Sequence, residues 1–338
     1  MRSKFGFLIM ALACVFAASL SVRAEGPPAW AYGFNTPPGA APAAAAPAAP
    51  AAAPAPPTPD TTPRHVPGSD KVFVRQQIAN QYGPADWFPG DHGPMPDIVA
   101  HGRQESMIAA CSLCHYPNGK GRPENAGVSG LPISYFIQTM HDFRDGLRKS
   151  ADPRKANTNR MISFAKNMTD EEIKAAAEYF GTMKWTPWMT KVVESATVPK
   201  TRPNNGMFLT LEGNEKEPIG QRLIETPVDA EATEILRNDH SGFIVYAPPG
   251  SLKKGEALVK TGAGRTTACG LCHGEDLKGL GPVPGLAGRS PSYIGRQLYD
   301  MQAGFRKGEW TSLMRPVVAK LSDDDLIAIT AYIASMTP

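Results

Sequence analysis

The sequence predicts an all-α protein built from two tandem copies of one helical unit, joined by a long irregular connector. A pentapeptide of the form Cys-x-x-Cys-His occurs at residues 111–115 and recurs at residues 269–273, an offset of 158 residues. A Ser-Tyr pair and a Gly-x-Arg-Lys segment recur at the same offset, at residues 134, 146, 292 and 304. Each copy also ends in an apolar stripe with the i, i+3, i+4, i+7 spacing of a helix. These stripes comprise Ile173, Ala176, Ala177 and Phe180 in the first copy, and Leu326, Ile329, Thr330 and Ile333 in the second.

Five segments are expected along the chain. The N-terminus has a basic start (Arg2 and Lys4), an apolar run and a small-residue end at Ala24, which is typical of a secretory signal peptide. An uncleaved membrane anchor, or a lipoprotein cleavage site at Cys14, is the alternative. We expect a signal peptide at 1–24, an aromatic segment plus an Ala/Pro-rich disordered tether at 25–70, helical domains at 71–183 and 251–338, and the connector at 184–250 with a short helix at 230–237.

The repeated pentapeptide predicts covalent attachment of two haems c. Two thiols three positions apart on a helical turn can each add to one vinyl group, and the adjacent His then supplies an axial ligand to the iron. A zinc site would need further thiols or a His pair nearby, and a thioredoxin-like site would need a βαβ context. The predicted attachment residues are Cys111, Cys114, Cys269 and Cys272, and the predicted axial ligands are His115 and His273.

A methionine is the predicted sixth ligand in each copy. Met161 and Met314 each precede a capped terminal helix by eight residues, and we expect both to lie in loops. Methionine is also a common core residue. That alternative suits Met140 and Met168, because the second copy has leucine at both matching positions, but it does not explain a methionine that recurs.

Taken together, these residues resemble class I cytochromes c, and the two copies resemble the two-domain diheme cytochromes of the c4 type. The resemblance covers about residues 95–183 and 251–336, and the segment from Pro284 to Gly288 strengthens it. It implies an all-helical fold, His/Met ligation, haems close to the domain boundary, and electron transport between respiratory complexes or dehydrogenases. It also implies that a proline carbonyl, here Pro284, accepts a hydrogen bond from the ligand His. The first copy has Ala126 at that position, so Pro123 is expected to serve there.

Two further recurring pairs are candidates for binding haem propionates. Arg148 and Arg306 present a guanidinium fork that suits a carboxylate, although a solvated helix end would also favour a cation. Tyr135 and Tyr293 are either propionate hydrogen-bond donors or core residues.

The function expected from these features is that of a periplasmic electron carrier without a catalytic residue. Its partners would be redox proteins, such as a membrane respiratory complex or a periplasmic dehydrogenase, and no small-molecule substrate is expected. The chain has a formal charge of +3, but residues 1–24 contribute three cations and no anion, so the remainder is neutral and gives no reason to expect nucleic acid. The alternatives are a diheme peroxidase or thiosulfate-oxidising cytochrome, and a permanent electron-accepting subunit of a dehydrogenase or oxidase.

The aromatic segment at 25–36 predicts a second kind of contact. Trp30, Tyr32 and Phe34 alternate with smaller residues, and the tether at 37–57 would present them to a partner. A plain spacer is the alternative.

Overall fold

The structure is a computed structural model that describes residues 26–40 and 60–338. The expected signal peptide and residues 41–57 of the expected tether lie outside the described residues. Within those two ranges, no helix has both the length and the apolar composition that crossing a membrane requires.

The first helical domain surrounds the first pentapeptide. Its terminal helix begins with a capping box, in which the Thr169 hydroxyl accepts from the Glu172 amide at 3.2 Å and the Glu172 carboxylate accepts from the Thr169 amide at 2.8 Å. The apolar stripe of this helix is buried against the helix that follows the pentapeptide. The helices are α2 (Arg75–Ile78), α3 (Asp97–Ala100), α4 (Cys111–His115), α5 (Ile133–Arg144), α6 (Ala156–Asn167) and α7 (Asp170–Gly181); α1 belongs to the N-terminal segment.

The second helical domain repeats this arrangement and also ends in a capped helix. Its first and last helices approach so closely that a Cβ at Gly255 would lie 2.1 Å from the Ala328 carbonyl oxygen, so only glycine fits there. The helices are α9 (Ser251–Thr261), α10 (Gly270–His273), α11 (Pro291–Gln302), α12 (Thr311–Val318) and α13 (Asp323–Ser335).

Equivalent segments of the two copies meet at the domain boundary. Arg148 and Arg306 face each other in an antiparallel bridge. The Lys149 amide donates to the Phe305 carbonyl at 2.8 Å, and the Lys307 amide donates to the Leu147 carbonyl at 2.7 Å. The copies are therefore joined through matching residues, as expected for two units related by an approximate two-fold axis.

The connector is not irregular, which corrects that part of the expected fold. It contains one five-residue helix, α8 (Ala230–Glu234), inside the range expected to be helical, and short strands that form three small sheets in the described residues. The strands are β1 (Met189–Glu194), β2 (Thr197–Pro199), β3 (Thr201–Asn204), β4 (Met207–Thr210), β5 (Lys216–Pro218), β6 (Ile224–Pro227) and β7 (Phe243–Ala247). One sheet has the order β1-β7-β6, with β1 parallel and β6 antiparallel to β7.

The N-terminal aromatic segment is part of this core rather than an exposed docking segment. Helix α1 (Ala29–Tyr32) packs on α11, where a Cβ at Gly295 would lie 2.7 Å from Trp30. The Tyr32 hydroxyl donates to Asp300 Oδ1 at 2.7 Å, and the side chain of Tyr32 is fully buried. The large aromatics thus bury their area within their own chain, and the expectation that they await a partner is wrong.

Residues 60–70 also belong to the fold rather than to the disordered tether. Arg64 and Phe73 form an antiparallel bridge. Val66 packs in a small apolar cluster with Trp87, whose indole nitrogen donates to the Leu236 carbonyl at 2.7 Å. This cluster ties the N-terminal part of the first domain to the connector.

One buried carboxyl group gives a pH-dependent prediction. Glu225 lies on β6, and its Oε2 accepts from the Ser290 hydroxyl at 2.8 Å and the Ser292 amide at 3.3 Å. Burial raises the pKa of Glu225 to about 7. Because the folded protein holds this proton more tightly than the unfolded chain, the contribution of Glu225 to stability is full below about pH 4.5 and falls as the pH rises to about 7.

Glu225→Gln should remove this dependence of the free energy of unfolding on pH. Between pH 4.5 and 8, the free energy of unfolding of the wild type should fall by about 2–3 kcal/mol more than that of the variant. Urea titrations across this range measure the difference, and the exposed Glu231→Gln is the matched control. Equal slopes for wild type and Glu225→Gln would contradict the assignment.

Candidate haem-binding sites

The first site forms where α4 presents two thiols and an imidazole. His115 Nδ1 donates to the Ala126 carbonyl at 2.8 Å, because a carbonyl oxygen can only accept. The bond orients the ring and leaves Nε2 as the lone-pair nitrogen that a metal needs. Burial lowers the pKa of His115, which also favours the neutral ligand form. The accepting residue is Ala126 and not Pro123, which corrects the expectation; the Pro123 carbonyl accepts from Arg296 instead.

The second site repeats this geometry. His273 Nδ1 donates to the Pro284 carbonyl at 2.8 Å, and in both copies the accepting carbonyl lies 11 residues after the histidine. Burial lowers the pKa of His273 as well. The hydrogen bond uses a backbone oxygen, so alanine and proline serve equally well as acceptors.

Two neighbouring cavities adjoin the first histidine. His115, Met140 and Met161 line both of them. The smaller one contains Cys111 and Cys114, and the larger one extends to the domain boundary. Apart from the thiols and the imidazole, the smaller cavity is lined mostly by apolar side chains, as is usual for cofactor sites. The residues present therefore fit a haem attached at the thiols.

The methionines predicted as sixth ligands lie in helices and not in loops. Met161 is in α6 and Met314 is in α12, at matching places in the two copies. Met161 shares both cavities with His115. Met314 is half-buried and packs on the apolar cluster of the second domain, which also includes Cys269.

The recurring arginines and tyrosines form one cluster across the boundary. Arg148 Nη2 donates to the Tyr293 hydroxyl at 3.0 Å, and Arg306 Nη2 donates to the Tyr135 hydroxyl at 2.9 Å. Gln297 Oε1 accepts from both guanidinium groups, at 2.8 and 3.0 Å. Both arginines are only 6% exposed, so the alternative of a solvated helix end is wrong.

The cluster is strongly cationic. Burial acts to raise the pKa of Tyr135, but the guanidinium groups of Arg306 and Arg148 outweigh it and lower this pKa to about 8. Among the described residues, neither arginine forms an ion pair with a carboxylate. Two buried cations without a bound anion indicate a place for negatively charged groups.

Comparisons with known proteins agree with this chemistry. The cytochrome c family model matches residues 99–184. The chain is 38% identical, over 244 residues, to the thiosulfate dehydrogenase electron acceptor of Stutzerimonas stutzeri strain A1501, and the match covers 71% of this chain and 84% of that protein. The chain belongs to the diheme cytochromes c of the c4 type. It is also 23% identical, over 238 residues, to cytochrome c4 of Pseudomonas aeruginosa, a match that covers 69% of this chain and 86% of that protein.

This diheme cytochrome c accordingly carries two covalently bound haems c and acts in electron transfer with redox protein partners. A further relative is the thiosulfate dehydrogenase electron acceptor of Thiomonas intermedia strain K12, 26% identical over 231 residues, with 67% of this chain and 78% of that protein covered.

Several residues of the first site were not among those predicted from the sequence. Arg296, Gln297 and Asp300 line its cavity although they belong to the second copy. At the offset of 158 residues, Arg296 stands opposite Gln138 and Gln297 opposite Thr139. A search for departures from the repeat would have singled out Arg296 and Gln297, whereas Asp300 matches Asp142 and would have been found by a search for recurrence.

Proposed function

We propose that this diheme cytochrome c is a periplasmic electron carrier of a respiratory chain, with both irons held by a His and a Met. His115 and Met161 are the proposed axial ligands of haem 1, and His273 and Met314 are those of haem 2. A signal peptide at 1–24 would direct export. The two haems, when bound, would supply one-electron carriage between two redox proteins, and we assign no catalytic step to the chain itself.

The shared cavity of His115 and Met161 is the observation that carries this proposal. A haem attached at Cys111 and Cys114 would lie between an oriented, neutral imidazole and a thioether. Such a ligand pair closes the iron to small molecules and favours its reduced form. The second copy has the same residue types at matching positions.

The arginine cluster supports a route between the haems. Arg148 and Arg306 are buried at the boundary with only neutral hydrogen-bond partners, so we assign them to the propionates of the two haems. Tyr135 and Tyr293 position these guanidinium groups. The residues that would hold one propionate of each haem lie together at the boundary, which supports electron transfer between the two sites.

A more specific donor is the second candidate. Two relatives are named thiosulfate dehydrogenase electron acceptor, one of them at 38% identity. This chain would then take electrons from a thiosulfate dehydrogenase, as a diffusing carrier or as a bound subunit. Rapid reduction of the oxidised cytochrome by that enzyme with thiosulfate, but not by thiosulfate alone, separates this candidate from a general carrier.

Both haem irons should be six-coordinate and should not bind carbon monoxide rapidly. A thioether bound at the sixth position must leave before carbon monoxide can bind, so the spectrum of the reduced protein should remain unchanged on the seconds timescale. Stopped-flow absorption measures this. Rapid stoichiometric binding at either haem would favour a diheme peroxidase over a carrier.

A further inference from the structure

Lys155 lies in a part of the first copy that the second copy lacks. Twelve residues separate Arg148 from Met161, whereas seven separate Arg306 from Met314. The inserted stretch brings Lys155 to the start of α6, where its side chain lines the larger cavity. Lys155 is only 3% exposed, and its Nζ is buried without a hydrogen-bond partner in the described part of the chain.

Each acidic neighbour of Lys155 forms an ion pair with an arginine, although Glu124 Oε2 is buried without a hydrogen-bond partner. Glu124 Oε1 accepts from Arg122 at 2.7 Å, and Asp152 Oδ2 accepts from Arg154 at 2.6 Å. Burial is the main cause that lowers the pKa of Lys155 well below its usual value, and the positive charge of Arg296 adds to it, while Glu124 and Asp152 oppose the shift. A buried ammonium group without a hydrogen-bond partner is costly. Glu124 and Asp152 already balance the charges of Arg122 and Arg154, so a further anion in the cavity would stabilise Lys155.

We propose that Lys155 is a haem-binding residue that donates from Nζ to a propionate of haem 1. The assignment rests on the proposed placement of haem 1 in this cavity. A propionate is an anion that the cofactor brings to the lining of the cavity, and the ammonium would satisfy one of its oxygens. Arg296 does not compete, because its two terminal nitrogens donate to the carbonyls of Ala31 and Pro123 at 2.6 and 2.8 Å.

The two haems then differ in their electrostatic surroundings. The second copy has no residue that matches Lys155, and Gln138 is the neutral match of Arg296. Reduction adds an electron to the haem, and a nearby cation stabilises the reduced form through a low-dielectric interior. Haem 1 is therefore the haem of higher potential, and the electron rests there when the protein is half-reduced.

Lys155→Met tests this on the full mature chain with both haems attached. The variant keeps the length of the side chain and removes the charge. Its effect should be about a tenfold loss in the equilibrium constant for reducing haem 1, which is about 59 mV for one electron, with haem 2 unchanged. Spectroelectrochemical titration gives both potentials, and the transition of higher potential, which the proposal assigns to haem 1, is the one that should shift.

Lys166→Met is the matched control, because it removes the same charge from an exposed position of the same helix. Lys155→Gln provides a second neutral variant in case the Lys155→Met protein does not fold. An unchanged potential for haem 1 in both neutral variants, or an equal shift of both haems, would overturn the proposal. Neither result depends on which residue is the sixth ligand, so failure here differs from failure of the His/Met assignment.

Discussion

Met161→Ala should remove about half of the long-wavelength Met-to-iron charge-transfer absorption of the oxidised protein. The potential of one haem should fall by on the order of 100 mV, because a thioether ligand favours the reduced iron and axial ligands set the potential over a wide range. The ferrous form should then bind carbon monoxide at that haem alone. Absorption spectra of the oxidised and reduced protein, together with a redox titration, measure these effects.

Two other methionines provide the controls. Met140 and Met168 line the smaller cavity beside Met161, and the second copy has leucine at both matching positions. Met140→Leu and Met168→Leu therefore copy a packing that the repeat already tolerates, and both should keep the full charge-transfer band. If Met161→Ala keeps the band while one of these variants loses half of it, the ligand is that methionine.

Trp30→Ala should destabilise the protein by about 3–5 kcal/mol, the usual loss for truncating a large buried aromatic side chain. Trp30 is 4% exposed and lies against Gly295, so its removal leaves a cavity between α1 and α11. Chemical denaturation followed by circular dichroism measures the change. The haem absorption of the folded variant should remain that of the wild type, because Trp30 does not line the haem cavity.

The same segment contains its own control. Asn35 is exposed, so Asn35→Ala should leave the free energy of unfolding within about 0.5 kcal/mol of the wild type. Equal stabilities for Trp30→Ala and Asn35→Ala would mean that the segment is detached in solution, and would restore the hypothesis of a docking segment.

The haem motifs and the repeated helices could be predicted because their chemistry is local. The spacing of Cys111, Cys114 and His115 follows from one helical turn, and the stripe of α7 follows from the helical period. The connector could not be predicted in the same way. Strand β1 pairs in parallel with β7, and Met189 lies opposite Phe243, more than fifty residues along the chain. Strands of three to six residues in a proline-rich stretch leave too weak a pattern to reveal such pairing.

The N-terminal segment shows a different limit of prediction from sequence. Alternating aromatics indicate that a large apolar area will be buried, but they do not say whether the surface that buries it belongs to another protein or to the same chain. That surface includes Gly295, whose missing side chain makes room for Trp30. A glycine within an otherwise helical pattern is only weak evidence for a packing contact. The sequence does not show which residue fills the space that the missing side chain leaves.

The contact between Tyr32 and Asp300 has a consequence for the order in which the molecule is made. These residues are 268 positions apart, and the core around Tyr32 also takes Ile327 and Ala331 from α13. Synthesis proceeds from the N-terminus, so the surface on which α1 packs is complete only when almost the whole chain has emerged. Contacts between residues so far apart in the sequence form late in folding, because the entropy cost of closing the loop between them must be overcome first. The haem attachment residues of each domain, by contrast, lie within one contiguous stretch of the chain. We therefore expect α1 to pack after the helical domains have formed.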